Sequence, residues 1–190
     1  MQLADLQVIH GVPRPVPLSK IRAAEAELGC SFPLGYVELL TTLGTGRLFG
    51  EVYVLGPREV LQNRGFAQRN FGGWPAGVEP DLPLTVKNAP AEVWAARELL
   101  DLIAFGFITC GDALYMHPTR PGRVYAVQGD MADGSPHYAG ENLLEACRYV
   151  RPPFTPHIFL PVSGLFLKRK RAEPLSRPSD LNKSEHPGTA

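Results

Sequence analysis

The chain has 190 residues, 44% of them hydrophobic, and its 19 basic side chains are balanced by 19 acidic ones. That composition suits one globular domain, which at this size buries roughly 70% of its unfolded surface without disulfide or metal staples. Nineteen glycines and 19 prolines speak against a helix bundle, and composition excludes a collagen, a coiled coil, a disulfide scaffold and a wholly disordered chain.

In chain order, the first 17 residues read as extended, because Pro13, Pro15 and Pro17 each lack a backbone donor and bias their predecessors away from helix. A helix is expected from an N-cap at Ser19 to Leu28, with Ile21, Ala24 and Leu28 on one face and Gly29 as its stop. A second starts near Pro33, buries Tyr36, Leu39, Leu40 and Leu43, and stops at Gly44 and Gly46. Leu48 to Leu55 reads as one strand, Gly56-Pro57 breaks it, and Arg58 to Asn63 makes a helical turn. Residues 64–89 read as a long loop anchored by Phe66, Phe71 and Trp74, followed by a helix from Glu92 to Leu100.

The strongest β signal follows. Leu102 to Thr109 is a near-continuous apolar run of strand length, as in a central strand buried on both faces. Gly111-Asp112 turns the chain into a strand over Ala113–His117, and Pro118 to Gly122 turns it into another over Arg123–Gln128. Strands joined by turns this short must be antiparallel neighbours. Asp130 to Pro136 is a loop, and Glu141 to Val150 is a closing helix with Leu143, Leu144, Cys147 and Val150 inward. Helices, then strands, then a helix give an α+β domain with a central, largely antiparallel sheet.

That domain is expected to span 1–167. From Lys168 onward six basic residues meet three acidic ones and almost no large apolar side chain, which leaves 13 basic and 16 acidic residues in 1–167. Residues 168–190 therefore read as a disordered basic tail. The body, being mildly acidic, is a poor partner for nucleic acid. No segment approaches the ~20 apolar residues of a membrane span, and no signal peptide opens the chain. Three cysteines without C-x-x-C spacing (Cys30, Cys110, Cys147) suggest reduced thiols in a cytoplasm.

The search for chemistry returns nothing that identifies a reaction. Gly44-Thr45-Gly46 lacks the third glycine and the strand–helix order of a dinucleotide loop. There is no nucleophile elbow around Ser135, and the histidines His10, His117, His137, His157 and His186 show no metal-binding spacing. Cys110 with His117 is the one pair compatible with a thiol nucleophile. No catalytic residue, metal or cofactor is expected, and the chain reads as a non-enzyme.

The succession Ile21, Glu25, Leu28-Gly29, Pro33, Tyr36, Leu40, then Leu102–Gly106, Gly111-Asp112, Tyr115 and Val124-Tyr125, resembles the SUKH superfamily of SMI/KNR-like domains over about residues 10–150. Phe32 stands where the family has Leu, Leu43 where it has Asn before Gly44, and Met116-His117 where an Asp often follows the Tyr. The resemblance implies an α+β domain that binds a protein, in bacteria mostly a toxin neutralised by an immunity protein, in eukaryotes a regulatory or scaffolding contact. The expected contact residues are Asp112, whose carboxylate at a turn could pair with a basic surface or equally bond its own backbone and shape the turn, and Tyr115 and Tyr125, if exposed. Sheet packing by the two tyrosines is the alternative, since alternate strand residues face a core.

Overall fold

The structure, a computed structural model, describes residues 3–72, 79–89, 92–109, 111–127, 135–150 and 157–161. Its frame is an eight-stranded sheet. In chain order the strands are β1 (Gln7–Val8), β2 (Gly46–Leu48), β3 (Val52–Val54), β6 (Ile103–Ile108), β7 (Ala113–His117), β8 (Arg120–Val127), β9 (His137–Gly140) and β10 (Ile158–Pro161). They lie side by side as β1-β10-β2-β3-β6-β7-β8-β9, all antiparallel except the β1–β10 pair. A separate antiparallel hairpin is formed by β4 (Pro83–Thr85) and β5 (Val93–Ala95). The helices are α1 (Leu18–Leu28), α2 (Tyr36–Thr42), α3 (Pro57–Gln62), α4 (Phe66–Phe71) and α5 (Leu143–Val150), and a 3-10 helix spans Ala96–Asp101. The class is α+β, as expected.

The period-2 alternation of the central strands sorts side chains onto two faces. Phe105, Leu114, Met116, Val124 and Ala126 point into one core with Ile21 and Ala24 of α1, Leu39 and Leu40 of α2, Val60 of α3, and Leu143 and Cys147 of α5. Ala104, Ala113, Tyr115, Tyr125 and Val127 point the other way, into a second core roofed by Ala67 of α4, Trp94 of β5 and Leu99 of the 3-10 helix. The sheet is thus covered on both sides, which is why the run from Leu102 to Thr109 is apolar without alternation.

Several expected elements take a different form. The first helix begins at Leu18 behind Pro17, with no side-chain cap from Ser19, and ends as expected with Gly29 in the left-handed region at φ 71°. The second starts at Tyr36, not Pro33, because Leu34 is drawn into a parallel bridge with Asn142 and accepts the Leu143 amide at 2.9 Å. The single strand expected over Leu48 to Leu55 is a hairpin of β2 and β3: Phe49 (φ 58°) and Gly50 (φ 74°) reverse the chain, and burial of the Phe49 ring offsets its backbone strain. Residues 64–89 hold α4 and β4 in place of a structureless loop; Trp74 lies outside the described residues. The helix expected over Glu92–Leu100 is β5 plus the 3-10 helix, because pairing with β4 turns Trp94 onto the sheet.

The meander β6–β7–β8 is present, with β8 beginning at Arg120, so that the turn is only Pro118-Thr119. The closing helix starts at Leu143, and β9 and β10 carry no expectation from sequence. The proposed tail, 168–190, and most of the loop 130–136 lie outside the described residues. Among the described residues no helix is long and apolar enough to cross a membrane.

Candidate functional site

The residues that carry the resemblance do identifiable structural work. Glu25 reaches from α1 to accept the Phe32 amide at 2.9 Å and pairs with Arg22 at 2.6 Å, so one carboxylate fixes the turn between α1 and α2. Tyr36 is fully buried and donates its hydroxyl to the Leu55 carbonyl at 2.7 Å, tying α2 to the end of β3. Its ring stacks on Phe32 at 4.3 Å and meets Phe105 edge-on at 5.8 Å. Burial, with Glu59 and Glu25 nearby, pushes the Tyr36 phenol well above its usual range, so it remains a donor. At Gly106 a Cβ would stand 3.3 Å from the Tyr53 carbonyl, which explains a small residue where β6 passes β3.

Of the expected contact residues, Tyr115 and Tyr125 sit opposite one another on β7 and β8, on the same face of the sheet. They are 2% and 0% exposed, so the structure corrects the expectation that they could be exposed anchors. Trp94 lies over Tyr125 edge-on at 4.7 Å, and Phe66 and Phe71 of α4 approach Tyr115 at 6.4 and 6.1 Å. The physical reason is the second layer, built from the segment whose strands sequence reading placed in a loop and a helix. Packing is the role their positions support. Burial raises both phenols, so both stay protonated.

Asp112 differs. It is half-buried at the turn from β6 to β7, where its backbone carbonyl accepts the Ile108 amide at 2.8 Å, and Gly111 gives its own amide to Ile108 at 3.0 Å. Beside it, Thr109 donates to the Glu51 carboxylate, so two acidic residues mark this end of the sheet. His117 ends β7 at the opposite side, roughly 16 Å away by strand rise. Cys110 lies outside the described residues.

At the His117 end the second layer closes with a charged network that sequence reading missed. Glu92 accepts from Trp94 Nε1 at 2.8 Å, from the Tyr125 hydroxyl at 2.9 Å and from Arg123 at 2.6 Å, and pairs with Arg120 Nε at 3.1 Å. Arg120 also meets Glu98 at 2.6 Å and lies over the Trp94 ring at 4.6 Å. His117 packs on Trp94 at 5.1 Å, and its Nδ1 accepts the Thr119 amide at 3.2 Å. Burial first, and the Arg120 charge second, hold the imidazole below its ordinary pKa and favour the neutral ring. Burial pushes Glu98 up, but Arg120 and the Ala95 amide outweigh it, so the carboxylate ionises more readily than usual. Nothing in the spacing of Glu92, Glu98, Arg120 and Arg123 signals a network; the β4–β5 hairpin and the 3-10 helix that follows it carry the two acids onto β8.

This set can lock a roof onto a sheet. Among the described residues no group of three His, Cys, Asp or Glu side chains is arranged to hold a metal ion. The geometry defines an α+β sheet domain, clad on both faces, whose second core is closed by the paired Glu92, Glu98, Arg120 and Arg123. The chain belongs to the SMI1 / KNR4 family (SUKH-1), whose model matches residues 15–145. No curated protein and no solved structure matches it.

Proposed function

We propose that this chain is a protein-binding module, specifically an immunity protein that neutralises a partner toxin by direct contact. Membership of the SMI1 / KNR4 family over residues 15–145 carries the reading, since bacterial members of this superfamily are mostly regarded as immunity proteins. The internally paired polar network is consistent with it, because such a network holds a surface in shape. Asp112, half-buried at the turn from β6 to β7, is the proposed contact residue, its carboxylate meeting a basic patch. Tyr115 and Tyr125 contribute from beneath, by fixing β7 and β8 as the platform for that turn.

The test is co-expression with any toxin domain encoded beside this gene. Growth rescued by the full chain, and equally by residues 1–167, supports the proposal; Asp112→Lys should weaken the complex by about tenfold or more. No rescue and no complex with any neighbouring toxin would overturn it. Loss of rescue on removing 168–190 would favour the second reading, a regulatory or scaffolding module that uses Lys168–Arg171 as a second contact.

A further inference from the structure

The outer seam of α1 and α3 is open. Three short helices line it: Lys20, Ala23 and Glu27 from α1 and Arg58, Leu61 and Gln62 from α3 lie at i, i+3, i+4 or i+7 spacing, and the adjacent Gln68 and Arg69 come from α4. Two cavities of about 640 and 410 Å³ lie along this seam and adjoin at Glu27 and Leu61, which line both, and taken together they make a trough. It runs from Thr45 and Gly56 at one end to His117 and Thr119 at the other. Its floor is apolar, with Ala24, Leu28, Leu61 and Ile103, and its rim is charged.

The charge of that rim is one-sided in effect. Four of the 13 basic residues in 1–167 line it (Lys20, Arg58, Arg64 and Arg69), although that body is acidic overall. Lys20, Arg58 and Arg69 are exposed and make no ion pair among the described residues, and Arg64 reaches Glu27 only at 4.0 Å. The acidic side chains are fewer. Glu59 is turned inward, accepting the Gly56 amide at 2.6 Å and the Tyr53 hydroxyl at 3.3 Å. Glu27 in the middle of the trough and Asp101 towards the His117 end are exposed carboxylates, so four basic side chains face two exposed acidic ones.

We propose that this trough is a docking surface for an acidic, apolar-studded segment of the partner protein, its carboxylates on Arg58 and Arg69 and its apolar side chains on Leu61. This rests on the protein-binding role proposed above and locates a second contact away from Asp112. Charge complementarity selects the occupant. The chain's own segment after Leu167 is basic and would be repelled. A nucleic acid would meet an acidic body and Glu27, with His117 the only ring in the lining.

The probe is a fluorescent peptide of alternating Glu and Leu, compared with its Lys–Leu counterpart and a single-stranded DNA of similar length, binding being read by anisotropy. The full chain should bind the Glu–Leu peptide best, and more weakly as salt rises. Arg58→Glu with Arg69→Glu should lose about tenfold or more in affinity, Glu27→Gln should gain a few fold, and Arg148→Glu on α5 should change nothing. All four substitutions fall on exposed side chains, and an unchanged melting temperature confirms folding. No binding of the Glu–Leu peptide, equal loss in Arg148→Glu, or preference for DNA would overturn the trough. Toxin rescue separates the two proposals. Rescue with a peptide affinity that ignores Arg58 and Arg69 removes the trough and leaves the immunity role, whereas the expected peptide pattern without any rescue does the reverse.

Discussion

The two faces of the sheet are built on different principles. One is a large apolar core under α1, α2, α3 and α5, with few polar groups, among them the Tyr36 hydroxyl on the Leu55 carbonyl. The other is smaller, aromatic, and closed by Glu92, Glu98, Arg120 and Arg123 around Trp94. Helices of 7 to 11 residues can bring whole apolar stripes to the first face. The second has only three-residue strands, a six-residue helix and a 3-10 turn to cover it. A roof made of such short pieces buries too little aliphatic surface to hold itself, and the charge network supplies the missing connections. The first face therefore tolerates swaps of similar volume, whereas the second depends on particular atoms.

The sharpest way to break this comparison is to truncate one side chain on each face. Trp94→Ala should cost about 3–5 kcal/mol in urea unfolding, because it removes the ring shared by Tyr125, His117 and Arg120. Leu40→Ala on the first face should cost about 2–5 kcal/mol but leave the Trp94 fluorescence of the native state unchanged. A Trp94 variant losing under about 1 kcal/mol would show the second layer to be ornamental.

Next in size is Glu92→Gln, which keeps the shape and removes the charge that holds both arginines. A loss of about 3 kcal/mol is expected, since the Glu92 side chain is only 12% exposed and Arg120 and Arg123 would be left partly uncompensated. A value near zero would mean that water replaces the network without cost.

The pH dependence sharpens the same contrast. His117 has a folded pKa below its ordinary 6.5, so the unfolded chain binds the extra proton and stability falls as pH drops through that value. The loss stops once the folded ring is protonated too. Glu98 acts in a lower window: its carboxylate ionises below the ordinary 4.5 when folded, so its contribution is full above that pH and disappears beneath it. His117→Gln should flatten the upper limb of an unfolding free-energy profile and leave the lower one. An unchanged upper limb would assign it to another group.

The smallest effect is expected where an ion pair has no roof over it. Arg97 and Asp81 pair at side-chain exposures of 62% and 72%, so Arg97→Ala should change stability by less than about 1 kcal/mol. A larger loss would show that the outer rim of the hairpin carries load that the Glu92 cluster was credited with.

The sequence alone determined the helical stripes of the first face and the order of the three central strands, but not the β2–β3 hairpin or β10. Ile21 and Ala24, Leu39 and Leu40, and the run Leu102 to Thr109 are periodic over lengths sufficient to define a helix or a buried strand, and turns as short as Gly111-Asp112 leave only antiparallel neighbours. Glu25, Tyr36 and Gly106 were legible as positions in a pattern, though their roles as turn clamp, tether and close approach required the fold. Only the tertiary structure decided the second face. Residues 83–85 and 93–95 are too short to show a period, and their strand state comes from pairing with each other over the sheet. Tyr115 and Tyr125 alternate correctly for either solvent or core, and which one they meet depends on whether that hairpin lies above them. The trough is legible in no single segment for the same reason: its lining comes from α1 and α3 on one face of the sheet and from α4 on the other.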